Sequence, residues 1–374
     1  MSEAALSRRT SRPENRLRRR GVYTTFHVSV AQTFPYRVMT RRLLLPLIVG
    51  LWVVACGAPS TSESPSRDLF FYVSADPQLN VPKWGLAGLD SMIATMNQAP
   101  GTAWPFGGTV GPPHGVLVPG DLVDDIGNSA NWEAYQDHFD PAGEAQLRFP
   151  VYAGIGNHDL SDSTDLPFSS VEQATIRRHQ QRPGPLNVGP EGYHYSWDWK
   201  GLHFVCLNIF PGNEPRPVYG TPAPWNDPKD ALAFLKQDLA EQVDTSDQPI
   251  VLFWHYGLRG WGLEKWWTEA DLANLKSTLA GYNVVLILHG HEHRYERYEW
   301  AGYDVVMAPA PYSPPDRAGA PSTPKGFLVV RATDDSLQLA HHAATGWKHT
   351  WAKPLKAKTD STQETTAPAP LPER

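Results

Sequence analysis

Apolar residues along this chain gather in short runs, separated by stretches rich in Pro and Gly. Runs of β-type composition predict strands at Leu69–Ser74, Val116–Pro119, Val151–Ile155, Tyr193–Trp199, His203–Leu207, Ile250–Trp254, Val284–Leu288, Asp304–Met307, Phe327–Arg331 and Leu337–His341. Helical patterns between them predict helices over Lys83–Asn97, Asn131–Phe139, Val171–Gln181, Lys229–Gln242 and Thr268–Ala280. Strand–helix alternation of this kind argues for an α/β fold with a mixed sheet. No helix separates the last four strands, which predicts a meander forming a second sheet face.

The longest apolar run lies outside this alternation. Arg41-Arg42 precedes Leu43–Ala55, and a basic pair, a short apolar run and a small residue make a secretory signal. The run is too short for a membrane span. Cys56 follows it, and Val53-Val54-Ala55-Cys56 resembles the lipobox of bacterial lipoproteins. That resemblance implies export, diacylation of Cys56 and anchoring to a membrane of the bacterial cell envelope. A signal starting at Met39 has ordinary proportions, so residues 1–38 read as an upstream extension from a misassigned start; a long basic leader is the alternative. Residues 56–66 then form a flexible tether, 67–352 the folded body, and 353–374 a polar, Pro-rich tail expected to be disordered.

Composition adds four points. The chain has 374 residues, 41% hydrophobic and 19% charged, enough for one sizeable core. Its 14 Trp and 35 Pro predict long, ordered connections rather than a helix bundle. Residues 1–55 hold ten Arg and only two acids, which leaves 23 basic against 37 acidic residues, or −14, from Cys56 onward. A body so acidic is a poor partner for nucleic acid or anionic lipid, and some of its acids suit metal ions that would cancel their charge. The two cysteines, Cys56 and Cys206, exclude a disulfide framework, and Cys206 reads as a buried core thiol.

The candidate chemistry sits where strands end. Asp76-Pro77-Gln78, Gly120-Asp121-Leu122-Val123-Asp124, Gly156-Asn157-His158-Asp159, His255 and Gly290-His291-Glu292-His293 each follow directly on an apolar run. In open α/β sheets the C-terminal strand ends form the ligand crevice. Each cluster alone is ordinary, because a lone His is commonly a structural residue and a lone Gly-Asp a turn. Five in this order deliver Asp, Gln, Asn and His to one edge, a donor set that suits divalent metals with mixed oxygen and imidazole ligands.

The ordered set resembles the calcineurin-like metallophosphoesterase superfamily, whose motifs read Asp-x-His, Gly-Asp-x-x-Asp, Gly-Asn-His-Asp/Glu, a lone His and Gly-His-x-His. The first motif departs from the pattern with Gln78 in place of His, which resembles an Asp-Pro-Gln branch and bears on the affinity and preference of the first metal. The resemblance implies an α/β fold with a two-sheet β-sandwich flanked by helices, and two divalent ions (Mn, Fe, Zn or Mg). It assigns Asp76, Gln78, Asp121 and His293 to one ion and Asp121, Asn157, His255 and His291 to the other. His158 becomes the acid at the leaving group, oriented by Asp124 or Asp159, and a metal-bridging hydroxide the nucleophile. A Tyr ligand of the purple acid branch is replaced here by Asp124, which argues against a tyrosinate-ferric site. The implied substrate is a phosphorylated small molecule or phosphoprotein; the motifs do not decide between monoester and diester, and a monoester is the expectation, with a phosphodiesterase on the same site as the alternative. Arg259, in a Trp-rich loop after His255, is a candidate phosphate contact, with a loop anchored by buried rings as the alternative. The rival reading of the chain is a non-catalytic, metal-binding surface lipoprotein, against which His158 speaks because such a protein needs no leaving-group acid.

Overall fold

The alternation of side chains along β1 (Asp68–Val73) sets the architecture. Leu69, Phe71 and Val73 pack to one side, Phe70 and Tyr72 to the other, and all five are buried. A strand buried on both faces belongs in the middle of a layered fold, and the computed structural model places it there. The structure describes residues 66–79, 87–124, 129–160, 175–215, 217–218, 221–222, 226–243, 247–260, 263–311 and 324–355. The signal segment, Cys56, most of the tether and the tail after 355 lie outside the described residues.

The first sheet has the order β15-β14-β13-β1-β2-β3. It uses β2 (Pro113–Val118), β3 (Val151–Ala153), β13 (Gly326–Thr333), β14 (Ser336–Ala343) and β15 (Gly346–Pro354). The second runs β11-β12-β10-β9-β6-β5-β4. Its strands are β4 (Asn187–Val188), β5 (Tyr195–Trp199), β6 (Leu202–Cys206), β9 (Ile250–Phe253), β10 (Val284–His289), β11 (Glu296–Trp300) and β12 (Tyr303–Met307). A small hairpin joins β7 (Pro217–Val218) to β8 (Thr221–Pro222). Within the first sheet β1, β2 and β3 run parallel, as do β6, β9 and β10 in the second, so their C-terminal ends share an edge within each sheet.

Four layers result. Between the sheets, Leu69, Phe71, Val73, Leu328 and Leu339 meet Phe204, Cys206, Phe253 and Leu288, with Phe71 edge-on to Phe204 at 5.2 Å. Outside the first sheet lie α1 (Ala87–Gln98) and α2 (Ser129–His138), which bury Met92, Ile93, Met96 and Tyr135 against Tyr72, Val116 and Val329. Outside the second lie α3 (Ala231–Gln242), the short α4 (Leu263–Trp266) and α5 (Glu269–Leu279). Leu235, Leu239, Leu275 and Leu279 pack there on Val205, Leu252 and Ile287. Thr268 starts α5 with a reciprocal capping box, its Oγ1 accepting from Asp271 N at 2.9 Å while Asp271 Oδ2 accepts from Thr268 N at 3.0 Å.

This is the two-sheet sandwich flanked by helices that the motifs imply, with corrections in detail. The last four expected strands do not form one meander: β10 and β12 join the second sheet, β13 and β14 the first. Absence of a helix in a connection does not say which sheet the next strand joins. Three edge strands, β4, β11 and β15, escape the sequence pattern: β4 has only two residues, and β11 and β15 set a few aromatic residues among polar ones, as edges facing water do. β15 carries regular structure through Pro354, and Leu355 beyond it is buried. Of the helix expected over Val171–Gln181, the described part is helical over 175–178 and then tightens into a 3₁₀ turn at His179–Gln181. Cys206 is fully buried, which pushes its thiol pKa up to about 12. No helix among the described residues is long and apolar enough to cross a membrane.

Candidate metal centre

The five motif loops leave the C-terminal ends of β1, β2, β3, β9 and β10 and bring side chains from both sheets together. Asp121 is the hub. Its Oδ1 accepts the backbone N–H of His158 at 2.8 Å, and its Oδ2 faces Gln78 Nε2 at 3.1 Å and His255 Nε2 at 3.3 Å. Asp76 accepts the backbone N–H of His291 on both oxygens, at 2.9 and 3.1 Å, with His293 Nε2 at 3.7 Å. His255 Nε2 lies 3.0 Å from Asn157 Oδ1 and 3.2 Å from His291 Nδ1. Two sets of ligand atoms emerge, Asp121–His255–His291 and Asp76–Asp121–His293, each with its atoms within 4.8 Å of one another. Asp121 belongs to both, and the i,i+2 pair His291 and His293 is divided between them.

The backbone is bent to achieve this. Asp76, Gln78, Asp121, His291 and His293 have φ of +52°, +33°, +53°, +81° and +57°. A non-glycine residue held left-handed costs on the order of 1–3 kcal/mol and persists where its surroundings fix it. Two glycines of the motifs serve the same convergence differently. Gly120 needs its φ of +103°. Gly156 has an ordinary extended φ, but a Cβ there would lie 2.3 Å from Asp121 Oδ1. It is a glycine because the carboxylate passes so close, not because the chain turns there.

Electrostatics fit this donor set to divalent cations. His255 Nδ1 is engaged by the carbonyl of Pro119 at 3.0 Å, which aims Nε2 at the lone pairs of His291 and Asp121. Without a cation a proton must fill that point, and His255 carries it. Burial pushes its pKa down, but Asp121 and Asp76 outweigh burial and raise it to about 9. Burial and the His255 charge hold His291 well below its ordinary value. Burial pushes the Asp121 carboxyl up, but the surrounding His255, His158 and His291 more than offset this and hold it low. A buried, ionised carboxylate shared by two imidazole sets fits a pair of cations.

The other predicted residues fall into place around the pair. His158 keeps its side chain 40% exposed, with Nδ1 3.0 Å from the Asp124 carbonyl and 3.5 Å from Asp124 Oδ1. Asp159 faces inward, where its carboxylate accepts Val123 N–H at 3.0 Å and Gly156 N–H at 2.8 Å and so ties two motif loops together. Of the two carboxylates considered for orienting His158, Asp124 is therefore the one beside it. The Arg259 guanidinium pairs with Glu296 and lies 4.0 Å from the centre of the Tyr298 ring, which joins the loop after β9 to β11.

Sequence reasoning missed several supports. Tyr256 stacks on Trp266 at 4.4 Å and both stand edge-on to His291. The Tyr298 hydroxyl accepts Leu258 N–H at 3.0 Å and meets His289 Nε2 at 2.9 Å, linking the fourth and fifth motifs. Asn208, just past the end of β6, touches two motif loops. The buried Trp266 fits the alternative of a loop anchored by buried rings; of Tyr256, Tyr298 and Asn208, which the sequence reading passed over, only Asn208 carried a signal, being one more polar residue directly after an apolar strand.

The sequence profile of calcineurin-like phosphoesterase matches residues 72–295, more than half of the chain and all five motif loops. Comparison with curated proteins finds no match. Among solved structures, the fold is similar to purple acid phosphatase PPD1 from yellow lupin (Lupinus luteus) seeds, with 15% identity, a TM-score of 0.51, and coverage of 82% of this chain and 58% of that one. GAP50, the anchor in the inner membrane complex of Plasmodium, aligns with 14% identity and a TM-score of 0.47 over 79% of this chain and 90% of its own. PhoD aligns with 10% identity and a TM-score of 0.45, covering 77% and 70%. The chain thus spans little more than half the length of the lupin structure, and at these identities the likeness is one of fold. The profile match, the two-sheet sandwich and the shared-carboxylate centre agree: the chain belongs to the calcineurin-like phosphoesterase family, a class of metal-dependent phosphoesterases.

Proposed function

We propose that this chain hydrolyses phosphate monoesters at a pair of divalent cations, with His158 as the acid that protonates the leaving alcohol. The observation that carries the reading is that Asp121 belongs to both ligand sets and accepts the backbone N–H of His158, whose ring stays accessible. Asp76, Gln78, Asp121 and His293 would hold one cation; Asp121, Asn157, His255 and His291 would hold the other. Bound there, the cations would polarise the phosphoryl oxygens and make hydroxide available near neutral pH. A monoester is the first substrate class to test because the lupin protein of similar fold is a phosphatase.

The chain's own part is proton delivery. Burial pushes the His158 pKa down, but Asp121 and the carbonyl and carboxylate of Asp124 outweigh it and hold it above the ordinary value of 6.5. The ring therefore holds its proton more readily than a free imidazole does. Nδ1 donates to the Asp124 carbonyl, which leaves Nε2–H for the substrate. As the bond from phosphorus to the alcohol breaks, that proton passes to the departing oxygen.

Excess EDTA is expected to abolish hydrolysis of an aryl phosphate, and Mn²⁺ to restore it. His158→Ala is expected to keep the metal and lose roughly 10²–10⁴ in kcat, the range for a positioned general acid. Full turnover in a preparation verified metal-free would end the proposal, and turnover of a bis-aryl phosphate alone would move it to diesters.

We further infer export and lipid anchoring at Cys56, supported by Arg41-Arg42, the apolar run and the lipobox-like Val53–Cys56. The substrates are then phosphorylated small molecules or phosphoproteins of the cell envelope. The Cys56→Ser protein should move from the membrane to the soluble fraction of cells; equal membrane retention would remove the anchor.

A further inference from the structure

We propose that Asn208 is a positioning residue that sets the spacing between Asn157 and His255, and hence the affinity of one of the two metal positions. The inference rests on the reading of those two residues as ligands. They come from different sheets, Asn157 from the loop after β3 and His255 from the end of β9, so no strand pairing fixes the distance between them. Asn208 follows β6 and reaches both. Its backbone carbonyl accepts His255 N–H at 2.7 Å, and its side-chain Oδ1 accepts Ile155 N–H, two residues before Asn157, at 2.9 Å.

The residue type is suited to this task. Asn208 has φ +54° and is 4% exposed. Asn is among the few side chains that adopt the left-handed conformation readily, and here that conformation turns the backbone carbonyl and the side-chain oxygen toward two different loops. The amide is held from behind as well. Its Nδ2 donates to the Tyr193 carbonyl at 2.5 Å and lies 3.2 Å from His194 Nδ1. His194 Nε2 in turn meets the Lys229 carbonyl at 2.7 Å, so Nε2 carries the ring hydrogen and Nδ1 accepts. Burial, the larger effect, holds His194 neutral, with its pKa lowered to about 4. With Nδ2 committed to two acceptors, Oδ1 can only be the acceptor for Ile155. The clamp has one orientation, and His255 Nε2 rests 3.0 Å from Asn157 Oδ1 as a result. Residues that orient metal ligands without touching the metal typically cost 10- to 100-fold in metal affinity when removed.

The test is metal titration of the whole, metal-stripped protein by calorimetry with Mn²⁺, which needs no substrate. Asn208→Gly is the informative variant, because glycine keeps the left-handed backbone and its carbonyl while deleting the side-chain clamp. Two bound ions are expected in the native protein. In the variant, one should weaken about 10- to 100-fold and the other should hold its affinity. Asn208→Asp keeps Oδ1 for Ile155 but loses the donor to Tyr193, and is expected to fall between the two. If Asn208→Gly fails to fold, Asn208→Asp alone decides, with selective weakening of one ion supporting the proposal. Unchanged affinities for both ions, or equal weakening of both in step with a lowered Tm, would overturn it. A native protein that binds no metal would instead overturn the site reading on which the proposal rests.

Discussion

β6 carries a buried acid–imidazole cluster at each end, and they solve opposite problems. At its start, His203 joins Asp238 through Nε2 at 2.8 Å and Asp198 through Nδ1 at 2.9 Å. Asp238 also accepts from Ser196 and, at 2.7 Å, from Asn187, while Gln248 reaches Asp198 at 3.2 Å. Donors face acceptors throughout, on ordinary strand and helix backbone, and the His203 imidazolium is met by a carboxylate at each ring nitrogen. Past the end of β6, the Asp121 centre sets imidazole nitrogens 3.2 Å apart and shares one carboxylate between two sets, on five left-handed residues. Both clusters centre on a buried Asp and His, His203–Asp238 in one and Asp121–His255 in the other, so burial and residue type alone do not tell a structural site from a functional one. Lone pairs converging on strained backbone do, because such an arrangement calls for a positive charge between them, a proton on His255 or a metal cation.

The sharpest break in this comparison is a pair of truncations. Asp121→Ala should lose metal and turnover together, a drop beyond about 10⁴ if the cations supply the nucleophile, while the protein stays folded. Asp238→Ala should do the reverse, losing on the order of 1–3 kcal/mol of stability because His203 Nε2 loses its buried acceptor and keeps only Asp198 on Nδ1, with metal per folded protein unchanged. Elemental analysis beside denaturant unfolding separates the outcomes. A fall in metal content for both variants at equal folded fraction would erase the distinction.

A smaller effect is written in pH. Burial pushes the His203 imidazolium down, but its hydrogen bonds to Asp198 and Asp238 outweigh this and raise the pKa to about 9. A pKa raised on folding gives stability that is fully present below 6.5 and lost as pH climbs through about 9. The difference corresponds to about 3 kcal/mol. Denaturation midpoints should therefore fall between pH 7 and 10, and the fall should flatten in Asp238→Ala. An identical slope in that variant would assign the loss to other groups.

The smallest expected effect concerns Gln78, whose amide nitrogen now faces Asp121. A half-turn of that amide presents its oxygen as a ligand, a harder donor than imidazole. Gln78→His should keep turnover and shift preference from Mn²⁺ toward Zn²⁺, read as the ratio of the two affinities. An unchanged ratio would place Gln78 outside the ligand set.

Much of this molecule was legible before its fold was known. The apolar runs marked the interior strands because a strand covered on both faces must be apolar on both, and the polar clusters after them marked the edge at which parallel strands end. β11 and β15 were hidden because edge strands share the polar alternation of loops. The function of His203 was hidden for a different reason: within its apolar run it reads as one more core position, and its partner Asp238 sits on a helix distant in sequence. The chain itself determined which residue types reach the cleft, in what order, and that they suit metal ions. Tertiary structure alone decided which imidazole faces which, that Asp159 turns inward while Asp124 turns to His158, and that Asn208 bridges two sheets. Those outcomes depend on ångström-scale distances between loops of different sheets, and such distances are set by how the two sheets pack together, which no local pattern along the sequence encodes.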